Sequence, residues 1–286
     1  MRRQTRGVVL VTGASSGIGR LCAIRLARAG FFVFGTTRQS PSEVQSRLRA
    51  EAEGTDRLVM LGVDVTRNET VVAAVESIVG RTGRLDAVVS SAGYGLAGAV
   101  EDTSDEEALA ILDTNLLGAH RVCRAALPIM RTQQSGVLVL ISSLAGRLGL
   151  PYQAFYSASK FALEGLAEAL RLEVRRYGVR VVLVEPGDFS TEFTDNRQYT
   201  GVTTIDSIYR DSFQRTMAIV ESDERTAASP AAVADRVIRI LGTKHPRLRY
   251  TVGPMKQRLA ALVKRVVPDS WFEAILRAAY RMERHQ

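Results

Sequence analysis

The chain has 286 residues, 46% of them hydrophobic, enough for one large core in a single α/β domain spanning 1–286. Lysine and arginine number 38 against 30 acidic residues, a net charge of +8, but the excess is spread along the chain with no zinc-ligand spacing and no aromatic-basic RNA motif. That disfavours nucleic acid as a partner and leaves a solvated basic surface that attracts anions; no apolar run of about 18 residues suggests a spanning helix.

The start, Met1-Arg2-Arg3 and then Val8 to Val11, faintly mimics a signal peptide. The apolar run is short and passes straight into glycines, so residues 7–12 read as a first, buried parallel strand. Thr12-Gly13-Ala14-Ser15-Ser16-Gly17-Ile18-Gly19 follows, then a helical pattern over 20–29. Strand, glycine turn and helix form the context of a dinucleotide site: glycines let the backbone approach a pyrophosphate, and the helix start offers free N–H groups. Residues 31–37 predict a second strand ending at Arg38, where an NAD site would place an acid. A guanidinium there suits a 2′-phosphate, so NADP(H) is favoured over NAD(H).

Residues 42–53 predict a helix and 58–65 a third strand ending in Asp64-Val65. Asp64 either accepts from an adenine amino group or caps the next helix, 67–81. A fourth strand, 85–91, runs into Ser91-Ala92-Gly93, small residues that permit close approach of a cofactor. Ser104 and Glu107 have capping-box spacing, and a long helix is predicted over 108–130 with Asn115 inside it, where a buried amide needs partners. The acidic stretch 102–107 has no histidine beside it, so no metal site is expected. Cys22 and Cys123 lie in apolar helical patterns, which reads as buried thiols in a reducing, cytoplasmic setting.

The fifth strand, 137–141, closes on Ser142-Ser143, a hydroxyl pair at the strand end where open α/β sheets bind ligands. The glycine- and proline-bearing loop 144–155 can return Ser143 beside Tyr156, leaving Ser142 as a local backbone partner. A periodic helix, 155–176, carries Tyr156 and Lys160, four residues apart and so on one face. An ammonium close to the phenol favours the phenolate and lowers a pKa that is ordinarily about 10. The sixth strand, 179–184, precedes Glu185-Pro186-Gly187-Asp188-Phe189-Ser190-Thr191, with Thr191 placed to reach a nicotinamide amide. Residues 189–226 are irregular and mixed, the pattern of a substrate lid. A helix over 230–241 and a strand over 248–252 follow. Residues 253–286 interleave basic and apolar side chains and read as an extension that packs on its own domain or a second subunit, with membrane contact the less favoured reading.

In order and spacing, the turn Thr12 to Gly19 with Asp64, Asn115, Ser143, Tyr156, Lys160 and Pro186-Gly187 resembles the short-chain dehydrogenase/reductase superfamily over about 7–252. The stretch from Gly149 through Tyr156-Ser-Ala-Ser-Lys160 is similar to the 17-beta-hydroxysteroid and retinol dehydrogenase branch. The resemblance implies a doubly wound Rossmann-type domain, with a parallel sheet of about seven strands and helices on both faces. It implies Tyr156 as general acid/base, Lys160 lowering its pKa and holding the nicotinamide ribose, Ser143 positioning the carbonyl, and Asn115 holding a relay water. Cofactor contacts would come from Gly13, Ser15, Ser16, Gly17, Ile18, Gly19, Arg38, Asp64, Val65, Ser91, Ala92, Gly93, Tyr156, Lys160, Pro186, Gly187, Phe189 and Thr191. Where the family usually has Asn-Ala-Gly, this chain has Ser91-Ala92-Gly93, expected to bind through the serine hydroxyl and backbone. The implied reaction is reversible hydride transfer between NADP(H) and a hydrophobic alcohol/ketone pair in a homodimer or homotetramer. A non-catalytic NADP(H)-binding regulator on the same fold is the alternative.

Overall fold

A computed structural model describes residues 6–53 and 55–282; Met1-Arg2-Arg3 lies outside them. Gly7 leads, with φ +142°, into β1 (Val8–Val11), and the glycine turn delivers the chain to α1 (Gly17–Arg28). There follow β2 (Phe32–Thr37), α2 (Pro41–Glu51), β3 (Leu58–Gly62), α3 (Asn68–Thr82) and β4 (Ala87–Ser90). A two-residue strand β5 (Leu96–Ala97) precedes α4 (Asp105–Leu112), which opens on the expected Ser104–Glu107 capping box. A π-helical turn, Asp113–Leu117, joins α4 to α5 (Gly118–Thr132). Then come β6 (Gly136–Ile141), α6 (Ala154–Val174) and β7 (Val179–Pro186). The remainder is β8 (Gln198–Tyr199), α7 (Gly201–Ile205), α8 (Arg210–Thr226), α9 (Ala231–Leu241), β9 (Arg249–Val252), α10 (Met255–Val263) and α11 (Asp269–Ala279).

Seven strands form one parallel sheet in the order β3-β2-β1-β4-β6-β7-β9. The pleat sorts its side chains. Val9 and Val11, with Val33, Val139 and Val182, pack on α1, α2 and α9 through Leu26, Leu48 and Val237. Val8 and Leu10, with Phe34, Leu138 and Val181, pack on α3, α5 and α6 through Ile78, Val122 and Leu163. With both faces covered, the strands read as unbroken apolar runs. The chain winds outward from β1 to β3 and returns to β4 on the other side of β1. That reversal opens a crevice at the carboxyl ends of β1 and β4, where ligands of such sheets bind.

Two sequence expectations change. The helix predicted over 108–130 is interrupted at Asn115 by the π turn, whose extra residue widens the coil. The stretch read as irregular over 189–226 contains the 17-residue helix α8, which buries Phe213, Met217 and Val220. Among the described residues no helix is long and apolar enough to cross a membrane. Cys22 and Cys123 are free, buried thiols, each pushed up to about 12 by desolvation.

Candidate active site

The glycine turn is held by contacts that a side chain would break. Gly13 sits at φ +65°, and a Cβ there would lie 2.9 Å from the Ala92 Cα. A Cβ on Gly19 would lie 2.2 Å from the Gly13 carbonyl oxygen. Thr12, 1% exposed, fastens β4 to this turn: its hydroxyl accepts from the N–H groups of Ser91 (3.0 Å) and Ala92 (3.1 Å). Ser91 thus takes part through its backbone. Thr12 was within reach of sequence reasoning as the first residue of the glycine string, yet its locking role shows only in the fold.

The N-terminus of α1 already engages an anion. The N–H of Gly17 donates to a Glu192 carboxylate oxygen at 2.9 Å, and the same carboxylate lies 3.4 Å from the Arg20 guanidinium. A carboxylate at this place stands in for a phosphate oxygen, so the turn fits the pyrophosphate of a dinucleotide. Thr191, next in chain, lies against the turn, 3.7 Å from where a Gly17 Cβ would stand. Ser15 and Ser16 are half-buried in the same turn, and Ile18 packs on the core beneath it. Pro186 ends β7 and Gly187 donates to Val252 at 2.8 Å, which leaves Phe189 buried beneath the segment.

Arg38 is exposed at the end of β2, and its positive charge is felt at Asp64 and Tyr94. Asp64 uses its carboxylate locally, accepting from the Thr66 N–H (2.9 Å) and hydroxyl (2.8 Å). Val65 is buried against Gly118, where a Cβ would approach it to 2.7 Å.

Tyr156 and Lys160 share a face of α6 and are 8% and 7% exposed. The Lys160 Nζ donates to the Ile141 carbonyl at 3.0 Å, tying α6 to the end of β6, and lies 5.7 Å from the Tyr156 ring centre. Ser143, also at the end of β6, accepts from the Ala145 N–H at 3.1 Å, and its hydroxyl favours the ionised form of the nearby Tyr156 phenol. Ser142 pairs through its backbone N–H with Val184 at 2.8 Å. The expected depression of the tyrosine pKa does not hold for this arrangement. Burial pushes Tyr156 up to about 12, outweighing the Ser143 hydroxyl, which acts the other way. Lys160 itself is pulled down to about 8 by burial, against the opposing charge of Glu164. Desolvation disfavours both charged forms and is the largest cause of each shift.

Asn115, 2% exposed, has its side chain fully engaged. Oδ1 accepts from the Tyr94 N–H at 3.0 Å, while Nδ2 donates to the Tyr94 carbonyl (3.0 Å) and the Ser159 hydroxyl (3.2 Å). Ser159 in turn donates to the Tyr156 carbonyl at 2.7 Å. The π turn brings Asn115 within reach of both α6 and the segment after β4. Gly93 completes the fit, since a Cβ there would meet Oδ1 at 2.8 Å.

A second polar group stands beyond Tyr156, across Phe193, whose ring centre is 5.6 Å from that of Tyr156. The Arg197 guanidinium lies 5.7 Å from the Phe193 ring on its way to a 2.5 Å ion pair with Glu224 of α8. Thr194 donates to the other Glu224 oxygen at 2.7 Å. Arg197 is 5% exposed, and its Nε and Nη1 have no hydrogen-bond partner. Asp188 takes a hydrogen bond from the Gln257 amide of α10, and burial together with Glu224 and Asp223 pushes it up to about 6. None of these residues belongs to a sequence motif. The only available signal was that Asp188 follows Pro186-Gly187 at a strand end.

A switch-point crevice with an anion-accepting turn on one side and a buried serine–tyrosine–lysine set on the other defines a dinucleotide-dependent oxidoreductase. The family model for short chain dehydrogenases matches residues 7–200, and the chain belongs to that family. It is 42% identical over 273 residues to a 3-ketodihydrosphingosine reductase of Bacteroides thetaiotaomicron, covering 96% of this chain and 97% of the relative. It is 36% identical over 258 residues to human 17-beta-hydroxysteroid dehydrogenase type 1, covering 86% and 77%. Among solved structures, a short-chain dehydrogenase from Streptomyces avermitilis superposes with a TM-score of 0.79 at 32% identity, covering 95% of this chain and 98% of that one. ElxO with NADP bound superposes with a TM-score of 0.71 at 25% identity, covering 86% and 96%.

Proposed function

We propose that this chain is an NADP(H)-dependent reductase of a hydrophobic ketone, and that a long-chain 2-amino ketone, the substrate type named for the Bacteroides relative, fits it best. The observation that carries the reading is the buried Tyr156 phenol, beside Ser143 and one helical turn from Lys160, at the mouth of the nucleotide crevice. When bound, the nicotinamide supplies the hydride. Gly17 and the α1 N-terminus hold the pyrophosphate, Arg38 pairs with the 2′-phosphate, and Thr191 and Phe189 fix the nicotinamide end.

Tyr156, protonated throughout the neutral range, donates its proton to the substrate oxygen as that oxygen gains charge. The Ser143 hydroxyl donates a hydrogen bond to the same oxygen and stabilises it. Lys160, which titrates at about 8, returns a proton to the phenolate and binds the ribose. Asn115 acts through its position: its side chain is spent on Tyr94 and Ser159, so a relay water falls to its main-chain carbonyl. Asp188 meets the substrate ammonium. Residues 189–226 act as the substrate lid, with 253–286 as an extension of the same domain, and the subunits pair through α5 and α6.

The test is loss of NADPH absorbance with a ketone panel that includes 3-ketodihydrosphingosine, its N-acyl derivative and a steroid ketone. Oxidation with the free amino ketone and weak turnover of the N-acyl form are expected. NADPH binding with no turnover of any ketone would favour the non-catalytic alternative.

A further inference from the structure

The helices α10 and α11 cover the body with one side and leave a second apolar face in solvent. Met255, Leu259, Leu262 and Val266 recur at helical spacing and are 66%, 53%, 58% and 76% exposed. The opposite face meets the body through half-buried Ala260, Val263 and Val267 together with polar groups. The Gln257 Oε1 accepts from the Asp188 N–H at 2.8 Å, and the Lys264 ammonium lies 5.6 Å from the Phe272 ring centre and 5.9 Å from that of Phe161. In α11, Phe272 is the inward anchor at 4% exposed, while Trp271 and Ile275 point outward at 69% and 49%. An amphipathic surface helix normally keeps its large apolar side chains to the inward face. Lys256, Arg258 and Arg265 are exposed beside this apolar face, with Arg277 on α11 and Arg281 just past it, against Asp269 and Glu273 as the acids among residues 253–282.

We infer that the outer face of α10 and α11 is a docking surface for an anionic phospholipid bilayer. Charge decides the occupant. A second copy meeting this face about a two-fold axis would set its cations against their own equivalents, with too few acids to answer them. A bilayer with anionic headgroups answers both features at once: the apolar stripe enters the acyl boundary, and Lys256 and the arginines meet the phosphates. A tryptophan on the rim suits that depth. The surface also adjoins the proposed substrate cleft. Gln257 holds Asp188, and Tyr280, just past α11, packs with Phe213 and Met217 of α8. An apolar substrate dissolved in the bilayer would therefore meet the cleft from its lipid side.

Trp271 is the single tryptophan of the chain and reports directly. The full chain is titrated with phosphatidylglycerol–phosphatidylcholine vesicles and with pure phosphatidylcholine vesicles, following Trp271 emission and cosedimentation. A blue shift and retention are expected with the anionic vesicles alone, weakening as salt rises. Lys256→Gln with Arg258→Gln should lower vesicle affinity about thirty-fold, from about five-fold per basic residue. Leu259→Ser with Leu262→Ser should abolish retention while NADPH binding is unchanged. Because neither readout uses turnover, the result stands apart from the substrate assignment. Absence of retention, equal retention by both vesicle types, or dissociation of a wild-type dimer by the leucine substitutions would each overturn the inference.

Discussion

Glu192 occupies the place a cofactor phosphate needs, so removing its charge should tighten cofactor binding. Its carboxylate accepts from the Gly17 N–H at 2.9 Å at the start of α1, and its side chain is 45% exposed. A charge at a helix N-terminus is worth about 0.3–1 kcal/mol. The hydrogen bond adds about 1 kcal/mol net, and exposure with salt screening reduces the sum. About 1 kcal/mol is therefore lost when NADPH displaces Glu192, which corresponds to about five-fold in Kd. Glu192→Gln removes the charge while its amide oxygen can still accept from Gly17, so only the charge part of that cost is recovered and the NADPH Kd should fall about two- to five-fold when read by NADPH fluorescence. Glu51→Gln is the control. Glu51 pairs with the same Arg20 at 2.6 Å but does not touch Gly17, so its Kd should stay near wild type. An unchanged or weaker Kd for Glu192→Gln refutes the reasoning, because the carboxylate would then support the bound state rather than compete with it.

Tyr156→Phe removes the proposed proton donor and leaves the ring packed on Phe193. Turnover should drop by at least about 100-fold, the low end for a general acid, with NADPH Kd nearly unchanged; parallel losses of both would contradict the role. Arg38→Asp replaces the cation at the end of β2 with the acid of an NAD site, so the ratio of kcat/KM for NADPH over NADH should invert. An unaltered NADPH affinity would remove Arg38 from the site. Asp188, raised to about 6 by burial and its acidic neighbours, holds its proton in the fold at pH values where the unfolded chain has released it. Its contribution is therefore fully present below about pH 4 and is lost as pH rises through about 6. Asp188→Asn should stabilise the protein at pH 8 by on the order of 2 kcal/mol in urea unfolding, with little effect at pH 4. It should also cost turnover of the amino ketone more than of a neutral one, and equal stabilisation at both pH values would show that Asp188 is ionised normally.

Most of the scaffold could be read before the structure because its signals are local. A strand run, a glycine turn and a helix start are neighbours in sequence, so Gly13 to Gly19 fell into place beside β1 and α1. The Tyr156–Lys160 spacing likewise survives folding, because a helix preserves it. The interruption at Asn115 left no such mark. A π turn inserts one residue into a helix whose apolar pattern continues on both sides, and only the partners Tyr94 and Ser159 reveal what the detour achieves. Helix α8 was hidden for a different reason. Its buried stripe is narrow, Phe213, Met217 and Val220, amid many charged residues, and periodicity read against that background looks irregular.

The electrostatics were the least legible part, because they depend on who meets whom across the cleft. Arg197 and Glu224 lie 27 positions apart and form a buried pair that no spacing rule anticipates. The tyrosine shows the same limit. Sequence places a lysine one turn away and predicts a lowered pKa, but sequence does not contain the depth of burial, which moves both groups toward their neutral forms. On the proposed reading, a phenol that stays protonated and a lysine pulled down to about 8 would form a donor with a reservoir behind it, a better fit to ketone reduction than a standing phenolate. Alcohol oxidation needs the opposite protonation state. In this chain that direction should therefore depend more steeply on rising pH than reduction does.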